Sequence, residues 1–434
     1  LEPDIVMQRK SGDEVVVHIR ELGDFHPDRL FDALPLFRSL RDLRKRLSNA
    51  ATFADAAREL LGEGGPTTDR APVSIAPRTG HVLDAILGGP LDEPGAATPA
   101  ADELQALIQR SIAPHLVAAD DPRRPLLMKQ VDALIAEQMR AVLHHRSFQS
   151  LESLWRGVAM LTNRLETGEL LQVHLLDISI VELVADAAAA GESVPSALSR
   201  VIADDGQPWA LIVGAFTFGW DDADLLVLEH LASIARCSGG GAGAPFVAGA
   251  APRLTGTPSF TTVSDVDEWS RETIPAWEAF RRSPNAKFVG LVAPRFLARV
   301  PYGSEGEPCE QFDFQEMARI PGHADFCWTN GALACALLLG QSFMESGWRL
   351  RPGMRREVDN LPYYVVHADT ETYLQPCAEV LLTERAANRM MERGLMPLAS
   401  VKGRDVALLV RFQSVASPIS ALAGRWAERA EGGA

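Results

Sequence analysis

Between Phe148 and Thr167, large apolar residues recur at helical spacing. Leu151, Leu154, Trp155, Val158, Leu161 and Leu165 share one side of an α-helix, while Glu152, Arg156, Asn163 and Arg164 take the other. The period alone describes an amphipathic core helix. Arg124-Pro125 opens a helix before it, with Met128, Val131, Ile135, Met139 and Val142 along one face and His144-His145 at its end. Adjacent histidines point about 100° apart on a helix, so they do not reach one metal together; a helix C-terminus favours them through its dipole. Near the start of the chain, residues 13–19 are rich in β-branched residues and predict a strand. A break at 21–30 offers Asp24 or Asp28 as a helix cap, and a helix from Leu30 is bent or restarted at Pro35. Beyond that proline, Leu36, Leu40, Leu43 and Leu47 form a seam with Arg38, Arg41, Arg44, Lys45 and Arg46 between them. Two readings stand: docking on a partner helix, or a solvated basic face over an internal core.

Downstream the pattern alternates. Strands are expected at Leu171–Ile178, Trp209–Phe216, Pro245–Gly249, Lys287–Ala293, Phe296–Val300, Tyr363–His367, Ala378–Thr383 and Val406–Phe412. Helices are expected over Asp221–Arg236 and Glu384–Arg393, the second stopped by Gly394, with a long buried helix over His323–Gly347. Strand-helix-strand order favours a largely parallel sheet covered by helices. The expected class is α/β (mixed α+β), a helix-covered mixed sheet with an N-terminal helical region.

Residues 62–100 carry seven Gly and six Pro around a short apolar Val82–Leu87, which is linker composition. A short helix is expected at Asp102–Ile112 after it. The domains expected are therefore a strand-and-helix segment 1–61, the linker 62–100, a helical docking region 101–168, and an α/β region 169–434 of one or two subdomains. With 57 acidic against 42 basic residues the net charge is −15, which argues against a general nucleic-acid binder. No run approaches the roughly 20 apolar residues of a membrane span, and no apolar secretory leader is visible. Cys237, Cys309, Cys327, Cys335 and Cys377 are odd in number and scattered, as suits reduced thiols in a cytoplasm. Cys327 and Cys335 read as core.

No catalytic constellation stands out along the chain. Gly239–Gly243 is glycine-rich, but the order there is helix, glycines, strand, with no following Lys, the reverse of a phosphate cradle. Asp221, Asp222 and Asp224 stand where a helix begins, where carboxylates are favoured without a metal. No nucleophile or zinc motif occurs. No catalytic residue, metal ligand or cofactor site is expected.

Several separated stretches carry a resemblance. They are Leu143–Gly157 (LHHRSFQSLESLWRG), Ala215–Gly219 followed by a helix and Ala244–Ala248, Phe288–Gly303, Phe326–Ala332, and Lys402–Asp405 before a strand and Gln413-Ser414. Their order and spacing over residues 115–417 resemble the large subunit of the type VI secretion contractile sheath, the VipB/TssC/ImpC family. The early strand, Asp24-Phe25-His26-Pro27 and the leucine-rich helix resemble the C-terminal part of the small sheath subunit, the VipA/TssB/ImpB family. The resemblance implies a contractile tail-sheath-like fold and a cytoplasmic, non-enzymatic structural subunit. Such subunits assemble helically around an inner tube, exchange strands and contract to propel it. The partners implied are other sheath subunits, including a small subunit, the inner tube protein, the baseplate and a disassembly ATPase. The interface residues expected are Val15, Val17, Ile19, Phe25, Leu36, Leu40, Leu43, Leu47, Met128, Val131, Ile135, Met139 and Trp155. The small-subunit-like piece joined to a large-subunit-like piece implies a fused or divergent subunit. Family large subunits continue beyond the strand near Val406–Phe412, whereas this chain stops at Ala434, which leaves as the alternative a sheath-like accessory or terminator that does not polymerise. From another class stands a small-ligand or nucleotide-binding α/β enzyme with its site near Ala215–Asp222.

Overall fold

The computed structural model describes residues 3–8, 14–61, 121–191, 195–204, 208–238, 240–262, 266–317, 320–368 and 371–426. The expected linker 62–100 and the helix Asp102–Ile112 lie outside these. The chain forms two compact units, Leu1–Leu34 with Ala136–Ala434, and Pro35–Ile135.

In the larger unit, β3 (Ile212–Phe218), β4 (Phe246–Ala250), β5 (Val289–Ala293) and β11 (Leu395–Ser400) run parallel in that spatial order. Antiparallel β12 (Ala407–Leu409) and β8 (Glu357–Val358) complete a six-stranded sheet. Central strands of parallel sheets are covered on both faces and so read as unbroken apolar runs. The stretches FVAGA and VGLVA are such runs, and all ten of their residues are buried. One face packs on α6 (Ile180–Ala189), α8 (Asp222–Ser238), α9 (Pro275–Arg282) and α11 (Glu384–Glu392) through Leu183, Leu228, Phe280 and Met390. The other packs on α10 (Gly331–Ser346), whose residues from Gly331 to Leu339 are all buried. Asn330 starts α10: its Oδ1 accepts the Ala332 N–H at 2.9 Å, and its Nδ2 donates to the Phe216 carbonyl on β3 at 2.8 Å. Short α7 (Ala197–Asp204) joins the opposite face, beside α6 and α8, through Leu198.

A two-stranded antiparallel ribbon, β1 (Asp4–Gln8) and β2 (Glu14–His18), opens the chain. The turn Leu22–Phe25 and α1 (Pro27–Ala33) follow. The cap of α1 is His26, whose ring nitrogen accepts the Asp28 N–H at 3.1 Å, rather than Asp24 or Asp28. Asp24 instead accepts the N–H groups of Arg20 and Glu21. In the smaller unit, α2 (Arg38–Ser48) and α3 (Phe53–Leu61) pack together, and α4 (Arg124–Leu143) begins there. The histidine pair separates α4 from α5 (Arg146–Arg164).

Four expectations fail for local reasons. Leu171–Ile178 joins no ladder: only its ends, Leu171 and Ile178, pack on the core, while Val173, Leu175 and Leu176 are exposed. His323–Gly347 is not one helix: a turn at His323–Asp325 and β7 (Trp328–Thr329), paired with β6 (Phe296–Leu297), precede α10. The strand at Phe296–Val300 shrinks to those two residues of β6. Ala378–Thr383 makes a single bridge, Ala378 with Phe296, rather than a strand. The remaining ribbon is β9 (Tyr364–Ala368) with β10 (Glu371–Gln375).

Gly157 lets α5 pack closely on Leu333 and Thr329. A Cβ there would lie 2.3 Å from Leu333 Cδ1 and 3.0 Å from Thr329 Cγ2. Gly157→Ala should gain about 1 kcal/mol of helix propensity and lose about 1–3 kcal/mol to overpacking. The net expectation is a lower urea midpoint, and a midpoint at or above that of the parent chain would show that the helices part freely.

Candidate assembly interface

The larger unit holds a buried set of charges around Arg299. Its Nε donates to Glu152 Oε1 at 2.6 Å, and its two terminal nitrogens grip Glu316 at 2.6 and 2.9 Å. Arg156 donates to Glu152 Oε1 at 2.8 Å and to the Tyr302 hydroxyl at 2.8 Å. The Tyr302 N–H donates to Glu316 Oε2 at 2.7 Å, and the Arg299 guanidinium lies 4.0 Å from the Tyr302 ring centre. His144 approaches Glu316 at 3.6 Å and Asp325 at 3.5 Å. Glu152 is 0% exposed, Glu316 1% and Arg299 8%. Ions this deep persist only when paired and hydrogen-bonded. Burial by itself would raise the Glu316 pKa, but the Arg299 charge, with hydrogen bonds from its neighbours, holds it at about 2. Burial would likewise lower Arg299, yet Glu152 and Glu316 keep it well above its ordinary value. A second site repeats the logic at Glu379. There burial raises the pKa, and the His323 hydrogen bond and the Arg295 charge bring it down to about 2.

This cluster floors the place where the N-terminal arm docks. Phe25 is fully buried, and its ring meets Phe148 edge-on at 5.4 Å. The Tyr302 hydroxyl donates to the Phe25 carbonyl at 3.4 Å, and His26 meets the Tyr302 ring edge at 5.0 Å. The Asp28 carboxylate accepts the N–H groups of Glu310 and Gln311 at 3.0 and 3.2 Å. Gln311 Nε2 donates to the Asp28 carbonyl at 3.3 Å and to Asp32 at 2.7 Å. Phe31 packs on Phe312 with ring centres 4.9 Å apart. β1 and the Leu22–Phe25 turn lie against α5.

Of the residues expected at interfaces, Val17, Ile19 and Phe25 are buried within this unit and Val15 is half-buried. Met139 is buried there too, and Trp155 is half-buried. In the smaller unit Leu43, Leu47, Val131 and Ile135 are buried, while Leu36, Leu40 and Met128 are half-buried. The basic face of α2 is partly paired: Arg44 Nε meets Asp132 at 2.6 Å, and Arg46 pairs with Glu59. Arg124 also lies over the Phe53 ring, 5.6 Å from its centre. On α5, Glu152 and Arg156, read as the solvent side, point into the ion cluster, and Leu154 is exposed. The reason is that charges satisfied by Arg299 and Tyr302 bury better than an apolar side chain facing a polar cluster.

Arg299, Glu316 and Tyr302 escaped the sequence reading and Asp28 was read only as a cap, since partners such as Glu152 for Arg299 and Gln311 for Asp28 lie far away along the chain. The one available signal was their place inside or beside the quoted stretches. The α/β site near Ala215–Asp222 holds structural contacts: Asp221 pairs with Arg253 at 2.6 Å, and Asp224 accepts the Gly219 N–H at 2.6 Å. At the glycine-rich turn, Gly243 has φ +78°, and a Cβ there would meet the Phe288 ring at 2.3 Å. Gly243 thus serves close packing. Among the described residues no group of three or more His, Cys, Asp or Glu is placed to hold a metal ion. Nor is any helix there long and apolar enough to cross a membrane.

The helix-covered mixed sheet is that of the tail-sheath class. Residues 126–416 match the VipB family, described as the EvpB-type tail sheath N-terminal domain, and the chain belongs to that family of type VI secretion sheath proteins. It is 30% identical over 309 residues to the type VI secretion system sheath protein TssC1 of Pseudomonas aeruginosa, a match covering 67% of this chain and 61% of that relative. The chain thus spans about three-fifths of the length of the curated relative it matches.

The depressed carboxylates set the acid response. Glu316 and Glu379 have folded-state pKa values of about 2 against an ordinary 4.5, so their stabilisation is complete above pH 4.5 and is lost as pH falls toward 2. Urea midpoints should stay level from pH 7 to about 5 and then fall. Glu316→Gln, which leaves Arg299 half-paired, should cost about 3–5 kcal/mol at neutral pH; a loss under 1 kcal/mol would show the cluster to be dispensable.

Proposed function

We propose that this protein is a fused structural subunit of a type VI secretion sheath. It assembles helically around an inner tube and contracts to drive that tube outward. The observation that carries this reading is the docked arm. Residues 3–34 precede the family-matched stretch, which begins at residue 126, yet they are seated on it through Phe25, Asp28 and Phe31. In this reading the arm and the α2–α3 segment stand in for the small sheath subunit, so that one chain supplies both parts. The expected partners are further copies of this chain and any separate small subunit, then the inner tube protein, the baseplate and a disassembly ATPase. The expected place is the cytoplasm. The function is mechanical, without catalysis, metal or cofactor. Assembly needs a heterologous contact that does not close on itself, which generates a helical filament. Contraction needs two packings of comparable energy.

Electron microscopy of the purified chain, alone and with a co-expressed small sheath subunit, tests this. Hollow ribbed tubes from the chain alone are the expected outcome. Tubes only with the added subunit would sink the fusion reading, and monodisperse particles in both samples would replace it with a non-polymerising accessory role.

A further inference from the structure

We infer that the turn leaving α5 is a docking knob, received by the pocket beside α5 on a second copy of this chain. The knob is Glu169-Leu170. Leu170 is 89% exposed, and Leu175, Leu176 and Val181 after it are exposed as well. One outward leucine is ordinary, but a run of them marks a surface that another molecule covers. The turn is held in shape from both sides. Leu165 is buried at its start, and Leu171 packs on the same core at its end. The Glu166 N–H donates to Met344 Sδ at 3.4 Å, and the Gly168 N–H donates to the Leu171 carbonyl at 2.9 Å. A tip pinned in this way does not fold back onto its own subunit. Glu166 and Glu169, both exposed, make it acidic.

The receptor is a cavity of about 300 Å³, at the lower end of the range of ligand pockets. Met160, Phe296, Leu297 and Leu361 give it an apolar lining, to which Arg156 and Arg164 add two guanidinium groups. Most of it comes from α5 and β6, so it is formed before a partner arrives. Arg156 is fixed by Glu152 and Tyr302. Arg164 pairs with Asp359 and, with several N–H donors on one planar group, can hold a second carboxylate. An aliphatic side chain with a carboxylate beside it matches this lining in both shape and charge, and Glu169-Leu170 is such a pair. Knob and pocket are different surfaces of one chain, so their union is heterologous. Each added copy brings a new free knob or pocket, and the contact propagates as a filament unless its rotation closes a ring. This deepens the sheath reading and rests on it for its purpose, although the contact itself is tested separately.

The test places a benzophenone amino acid at position 170 of the full chain, where the exposed side chain leaves room for it. Isotopically heavy and light copies are mixed, concentrated and irradiated. Mass spectrometry of the digest is expected to show heavy–light pairs joining position 170 to residues 156–164, 296–298 or 360–362. Pairs that map elsewhere, or the absence of heavy–light pairs, overturn the inference. In sedimentation, Leu170→Asp should weaken self-association about tenfold or more at an unchanged urea midpoint. Association equal to that of the parent chain overturns the inference. Glu169→Arg should weaken it about tenfold, and adding Arg164→Glu to the same chain should restore it. A double variant that stays weak at a parental urea midpoint overturns the inference. Tubes formed as well by Leu170→Asp as by the parent would leave the sheath reading intact and sink the knob. Mapped heavy–light pairs without tubes would uphold the knob and sink the sheath reading.

Discussion

The Arg299 guanidinium, held between Glu152 and Glu316, is the constraint on which the rest of the larger unit depends. Taking such ions out of water costs several kcal/mol each, and their mutual attraction offsets that only when the geometry is close and every remaining donor is used. Here it is close, with contacts of 2.6 to 2.9 Å to Glu152 Oε1 and to both oxygens of Glu316. The three residues come from α5, from the exit of β6, and from the loop after Tyr302. One cluster therefore fixes the relative positions of three otherwise separate segments. Replacing it by apolar side chains of the same volume would satisfy the core equally well. Such side chains would leave Tyr302 without its orientation and the arm without its seat. The polar solution stabilises one arrangement at the expense of others, and this is the use of buried ions that matters for a subunit that must present a fixed surface.

The sheet and its cover were largely legible along the chain. Buried parallel strands must be apolar on both faces, so VGLVA and FVAGA stand out as short runs, and α8 shows the 3.6-residue period of a helix with one solvent face. Helix α10 illustrates the limit. Its apolar composition reaches back through Phe326, Cys327 and Trp328, which extends the apparent helix. Asn330 ends that extension, since its side chain caps the true start while bonding β3. A capping residue tied to a distant strand acts through tertiary structure, and local pattern does not register it.

The docking site was legible in its apolar half and hidden in its charged half. Phe25 and the helix after His26-Pro27 announce a packing element by composition. Glu152 and Arg156 follow the polar side of a helical wheel and yet lie inward, because a wheel assigns charge to solvent by default. What reverses the assignment is a complementary ion nearly 150 residues away, for which periodicity has no term. The converse error appears at Leu170–Val181. There Leu170, 89% exposed, and Val181, 74% exposed, stand in a run of apolar residues facing outward. An apolar run is evidence that something must cover it, without saying whether the cover belongs to the same chain. For a protein of a sheath family, that ambiguity is physical in origin. Surfaces that meet in an assembly are written in the same apolar alphabet as a core, and only the placement of charges such as Arg299 separates the interior of one subunit from the junction between two.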